Sequence, residues 1–167
     1  MEKYLTNPYF LGGFIGISLG VTFWAIVSFW MQSVHIHAGF QVYDGEEQLD
    51  FSGVEYMYVG QCDDMKDPER LQDRVHLHDQ IGDVVHVHDT GVTWKDLFWS
   101  LGEEELIEDI DAMITDGQEV EVDLDREIQE YERTIFIIGN DVSPDQAWND
   151  IVSLNHIVQV EQASTCE

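Results

Sequence analysis

The stretch that decides the fold runs from residue 76 to residue 88: His76-Leu77-His78-Asp79-Gln80-Ile81-Gly82-Asp83-Val84-Val85-His86-Val87-His88. Successive side chains of a strand point to opposite faces, so each His-x-His pair offers two imidazoles to one side. The turn-forming run Asp79–Asp83 between the pairs predicts a hairpin. With an odd loop the opposed residues sum to an even number, and His76, His78, His86 and His88 share one face; with an even loop they split across the sheet. Leu77, Val85 and Val87 then face the other way, toward a core.

A third pair, His35-Ile36-His37, lies upstream, so six of the 7 histidines occur at this spacing. Neutral imidazole is the commonest protein ligand for zinc and also suits copper, and three pairs supply more nitrogens than a four-coordinate ion requires. The candidate metal ligands are therefore His35, His37, His76, His78, His86 and His88, with Zn2+ as the expected ion and Cu2+ as the alternative. Asp79, Asp83 and Asp89 are candidate acceptors for the ring N–H groups. The bland alternative is a hydrogen-bonded or pH-responsive histidine cluster. His156 stands alone and is left out of the site.

Tyr9 to Met31 is an uncharged apolar run, long enough as a helix to cross a bilayer. No small-x-small cleavage pattern follows at Gln32-Ser33-Val34-His35, so the expectation is an uncleaved single-pass anchor over residues 9–31 behind a short tail, 1–8. Lys3 is the only basic side chain near either end before Lys66, which predicts the amino terminus inside and the rest outside, an extracytoplasmic cell-membrane protein. Gly12, Gly16 and Gly20 recur every fourth residue and would let that helix pack closely against a membrane-protein partner or a second copy.

The formal net charge of −27, with 7 basic residues, excludes a conventional nucleic-acid binder, because phosphate neutralisation needs Lys and Arg. The acid is spread along a patterned chain and reads as a solvated surface. Cys62 and Cys166 could form a disulfide in an oxidising compartment, and Cys62 could also serve as a thiolate ligand.

Downstream of the anchor the expected fold class is α+β, with a histidine-rich β region over 34–92 and an α/β region over 93–167. Asp44-Gly45 predicts a hairpin turn within Val34–Phe51. Thr93-Trp94-Lys95-Asp96 reads as a capping box opening a helix that Gly102 closes, with Trp94, Leu97, Phe98 and Leu101 on its core side. Further expectations are a helix over Glu103–Ile114, strands at Glu119–Leu124 and Thr134–Ile138, a turn at Gly139-Asn140-Asp141, a short helix capped by Ser143-Pro144, and a last strand over His156–Val160.

Over Val34–Phe51 and Val75–Gly102 the chain resembles a group of uncharacterised microbial membrane-anchored or secreted proteins. They share the opening His35-Ile36-His37-Ala38-Gly39-Phe40, the block from His76-Leu77-His78-Asp79 to Val85-His86-Val87-His88, and the following Thr93-Trp94-x-Asp96-Leu97-Phe98. That resemblance implies no tested function. The helix from Thr93 and the strands after it also resemble β-grasp modules; the chain ends in Thr165-Cys166-Glu167 and not in Gly-Gly, so no sulfur-carrier role is implied. The leading functional expectation is a noncatalytic metal-binding accessory module of a larger membrane assembly. A metal-dependent hydrolase or hydratase is the first alternative, although H-E-x-x-H and nucleophile-elbow motifs are absent from the sequence. A metal-free acidic interaction subunit is the second.

Overall fold

The strand that organises the molecule is β1, Ile36–Asp44, which begins inside the first histidine pair. The computed structural model describes residues 34–58, 70–139 and 141–163, and these belong to one compact unit. The other strands are β2 (Glu47–Gln48), β3 (Val75–His76), β4 (Val84–Val87), β5 (Ile110–Thr115), β6 (Gln118–Val120) and β7 (Arg133–Ile138). The helices are α1 (Leu71–Arg74), α2 (Trp94–Leu101), α3 (Leu106–Asp109), α4 (Pro144–Asn149) and α5 (Leu154–Ala163), with a 3-10 turn at Val54–Tyr56.

All the strands join one mixed sheet in the order β3-β4-β1-β7-β5-β6, with β2 paired to the carboxy-terminal end of β1. The β1–β7 pair is parallel and every other pair is antiparallel. Because β1 and β7 come from opposite halves of the chain, the sheet crosses the 92/93 division drawn from sequence.

Alternation along β1 sends its two sets of side chains into different cores. Ala38, Phe40 and Val42 join Leu77, Val85, Val87, Met113 and Phe136 beneath Trp94, Leu97, Phe98 and Leu101 of α2. On the opposite face, Tyr43, Ile135, Ile137 and Ile114 pack with Ala147 of α4, and Val84 packs with Val152 and with Ile157 and Val160 of α5. Gly39 lies on this second face, where the side chains of Val152 and Ile157 occupy the space that a Cβ would need. The imidazoles project from the same face.

Helix α2 forms as its capping box predicts. Thr93 Oγ1 accepts from the Asp96 N–H at 3.2 Å, the Thr93 N–H donates to Asp96 Oδ2 at 2.9 Å, and Gly102 closes the helix in the left-handed conformation at φ 76°. Thr93→Ala is expected to cost about 1 kcal/mol, read as a lower urea midpoint at unchanged m-value.

Several expectations are corrected. Among the described residues no helix is long and apolar enough to cross a membrane. The longest, α5, has 10 residues, about 15 Å at the helical rise and half the hydrocarbon thickness. The expected span over 9–31, with Gly12, Gly16 and Gly20, lies outside the described residues. The architecture described is a mixed-sheet α+β unit, and it does not support the single-pass anchor or the cell-membrane localisation with an outward-facing carboxy-terminal region.

The strand expected at His156–Val160 is instead part of helix α5. Ser153 Oγ accepts from the His156 N–H at 3.1 Å at the start of that helix, and Ile157 and Val160, three apart, are its buried residues. The helix expected over Glu103–Ile114 is only α3; Ile110–Thr115 is strand β5, covered on both faces, and a short apolar run of that kind carries no usable periodicity. The Glu119–Leu124 strand shortens to Gln118–Val120. Cys62, Cys166 and Asn140 lie outside the described residues.

Candidate metal centre

The register of three strands assembles the histidines. His37 is paired with His86 across β1 and β4, and His86 with His76 across β4 and β3. Paired residues point the same way, so His35, His37, His76, His78, His86 and His88 all emerge on one face. The β3–β4 pairing sums to an even number, which is the convergent alternative of the two that the sequence left open.

The six rings form one contiguous cluster. Ring centroids are 3.7 Å apart for His78 and His86, 4.2 Å for His37 and His86, 4.6 Å for His35 and His37, 4.7 Å for His35 and His88, and 5.0 Å for His76 and His88. His37, His76, His78 and His86 are buried, and His35 and His88 are half-buried at the edge. Ring nitrogens of His35, His86 and His88 all lie within 4.8 Å of one another. A tetrahedral zinc ion with Zn–N bonds of about 2.0–2.1 Å holds its ligand nitrogens about 3.3 Å apart, so small ring rotations would close this group over an ion.

Hydrogen bonding fixes the outer nitrogens and leaves inner ones bare. His76 Nδ1–H donates to the Gln72 carbonyl at 2.8 Å; a carbonyl only accepts, so the proton of neutral His76 is on Nδ1 and Nε2 is a free lone pair. His78 Nδ1–H donates to Asp79 Oδ2 at 2.6 Å, and His78 Nε2 lies 3.0 Å from His86 Nδ1. The Nε2 atoms of His37, His76, His86 and His88 are buried and meet no hydrogen-bond partner among the described residues. Buried polar atoms in native structures are nearly always satisfied, so four adjacent exceptions require an explanation.

Electrostatics keep these rings neutral. Burial, reinforced by His35 and opposed by Glu161, pushes His37 down to about 4. Burial likewise takes His76 down to about 4, against its hydrogen bond to the Gln72 carbonyl, and His88 down to about 3, with the charges of His76 and His35 adding to it. His86, the most enclosed, is depressed further by burial and by His78. Neutral imidazole is the ligating form.

No family model, curated protein or solved structure matches the chain.

Of the three aspartates expected as acceptors for ring N–H groups, one takes that place. Asp79 accepts from His78; Asp83 pairs with His156 at 3.1 Å, and Asp89 with Arg74 at 3.0 Å. His156, on α5, is separate from the cluster's ring contacts. Sequence reasoning missed the Gln72 carbonyl, Glu161 and Tyr58, whose ring stacks on His76 at 4.7 Å and whose hydroxyl donates to Asp73 at 3.0 Å. No signal in the sequence distinguishes Glu161 from the other acids. Glu132, a buried carboxylate elsewhere in the fold, is fully engaged by Trp94 Nε1–H at 2.9 Å, Arg126 at 2.6 and 2.8 Å and the Thr134 hydroxyl at 3.0 Å. That saturation marks it as structural.

Proposed function

We propose that this chain is a noncatalytic metal-binding module that takes one divalent transition ion on its histidine face, Zn2+ first and Cu2+ as the alternative. The observation that carries the reading is the set of buried Nε2 atoms of His37, His76, His86 and His88 that meet no hydrogen-bond partner among the described residues. Zinc suits an all-nitrogen site without geometric demands, and copper(II) is the competitor because its intrinsic affinity for such ligands is higher. The net charge of −27 raises the local cation concentration around the molecule.

Elemental mass spectrometry on the full-length, untagged protein tests this beside a His86→Ala/His88→Ala variant. The expected result is one zinc or copper ion per chain, lost in the variant. Absence of metal from the parent protein after loading and desalting would remove the reading.

A metal-dependent hydrolase or hydratase is the second reading, favoured by two observations. The closest group contains three ligands, His35, His86 and His88, as catalytic zinc sites do, and His76 lines a pocket of about 470 Å³ with Tyr56, Tyr58, Arg70 and Gln72. X-ray absorption on the zinc-loaded protein separates them: four nitrogens support the closed module, three nitrogens and a water the enzyme.

A further inference from the structure

Two hydrogen bonds run in series from the surface into the histidine cluster. Asp79, with its side chain 64% exposed, accepts from His78 Nδ1–H, and His78 Nε2 faces His86 Nδ1 at 3.0 Å. An ionised carboxylate accepts and cannot donate, so with the rings neutral the proton of His78 is on Nδ1 and its Nε2 is a lone pair. The proton of the second bond must then come from His86 Nδ1. This leaves His86 Nε2 bare, and it is the nitrogen that lies buried without a partner among the described residues.

We propose that Asp79 is a positioning residue of the metal site: through His78 it holds the proton on His86 Nδ1 and keeps His86 Nε2 as the ligating atom. The inference rests on the metal-binding reading and specifies how this chain selects the nitrogen. Carboxylate–histidine pairs commonly orient a metal-bound imidazole directly. Here a second imidazole is inserted, so a solvent-exposed acid governs a fully buried ligand.

The backbone supports the assignment. The Ile81 N–H donates to the His78 carbonyl at 3.1 Å across a tight turn whose two central residues, Asp79 and Gln80, both have φ +58°. That conformation costs most L residues roughly 1–2 kcal/mol, and such turns ordinarily use Asn-Gly or Gly-Gly. Aspartate tolerates it better than most, and unlike glycine it provides an acceptor beside the His78 ring.

Two variants of the full-length chain test the proposal. Asp79→Gly relieves the left-handed backbone and removes the acceptor; Asp79→Asn tolerates the same backbone and keeps an Oδ1 acceptor without the charge. Long-range 15N–1H imidazole spectra of the metal-free proteins read each tautomer. His86 and His78 are expected as Nδ1–H in the parent and in Asp79→Asn. In Asp79→Gly His86 should shift toward Nε2–H, while His76, held independently by Gln72, stays as it was. Zinc affinity, measured by competition with a chromophoric chelator, should fall about 10–100-fold in Asp79→Gly and less than about tenfold in Asp79→Asn. An Nε2–H His86 in the parent, or equal losses of affinity in the two variants, would overturn the proposal. Zinc bound equally by all three proteins would overturn the role of Asp79 alone. The expected tautomers with no zinc bound by any of them would overturn the metal reading, and the ligand role with it.

Discussion

Zinc at a free concentration a thousandfold above its dissociation constant is expected to stabilise the metal-free protein by about 4 kcal/mol and to leave a His86→Ala/His88→Ala variant unchanged. The candidate ligands are His86 in β4, His88 just after it and His35 just before β1, so they converge only when those strands are paired. The unfolded chain retains the His-x-His pairs but not their convergence, and its weaker binding only trims the gain. Against a total stability of 5–15 kcal/mol this is a large effect. For a unit of this size each kcal/mol moves the melting temperature by about 4 °C, so a rise above 10 °C is expected in a thermal scan. The variant is an essential control because the chain carries 34 acidic residues that could gather zinc on the surface. An equal rise in both proteins would assign the stabilisation to those carboxylates and sink the histidine site.

The metal-free state carries a cost that the same comparison exposes. A buried polar atom without a partner costs about 1–3 kcal/mol, and the Nε2 atoms of His37, His76, His86 and His88 form such a set. In a purely structural cluster the histidines would be retained for the hydrogen bonds they make. In a binding site they are retained for the ion, at the expense of the empty fold. His88→Leu separates these cases: it removes one orphaned nitrogen and should leave the metal-free protein no less stable while weakening the response to zinc.

The parts of this arrangement that were legible in the sequence are those governed by local rules. Period two placed two imidazoles of each pair on one side, and Leu77, Val85 and Val87 on the other, where they are buried in the α2 core. The Thr93–Asp96 capping box and Gly102 fixed helix α2, and Ser143-Pro144 opened α4, because caps depend on a few adjacent residues. The parallel pairing of β1 with β7 was not legible, since nothing local links Gly39 to Arg133. That pairing places β1 at the centre of the sheet, and its other neighbour, β4, sets His86 opposite His37. Residues 110–115 and 154–163 were misread for a related reason: a strand buried on both faces lacks an alternating pattern, and a short helix rich in Ile and Val resembles a strand until its packing is seen. The Gln72 contact with His76 is made by a backbone carbonyl, which no side-chain motif announces.

Acidification should destabilise the metal-free protein between pH 6.5 and 5, before its carboxylates titrate. In the unfolded chain the histidines protonate near 6.5, whereas burial holds His37 and His76 neutral down to about 4 and His88 down to about 3. Between those values the unfolded state binds more protons than the folded one, so stability rises with pH; the contribution is complete above 6.5 and is lost as pH falls. Lowering the pH from 6.5 to 5 costs about 2 kcal/mol for each imidazole kept neutral, and several kcal/mol for the cluster, although neighbouring rings do not add independently. The opposing influence is the net charge of −27, whose self-repulsion is relieved as acids protonate, mainly near pH 4. The interval from 6.5 to 5 therefore isolates the histidines. Urea midpoints measured with chelator present should fall across it in the parent protein and fall less in a His76→Gln/His88→Gln variant. A midpoint that stayed level or rose would mean that the rings accept protons within the folded state. The cluster would then be open to water, and its bare nitrogens would be solvated instead of held ready for an ion.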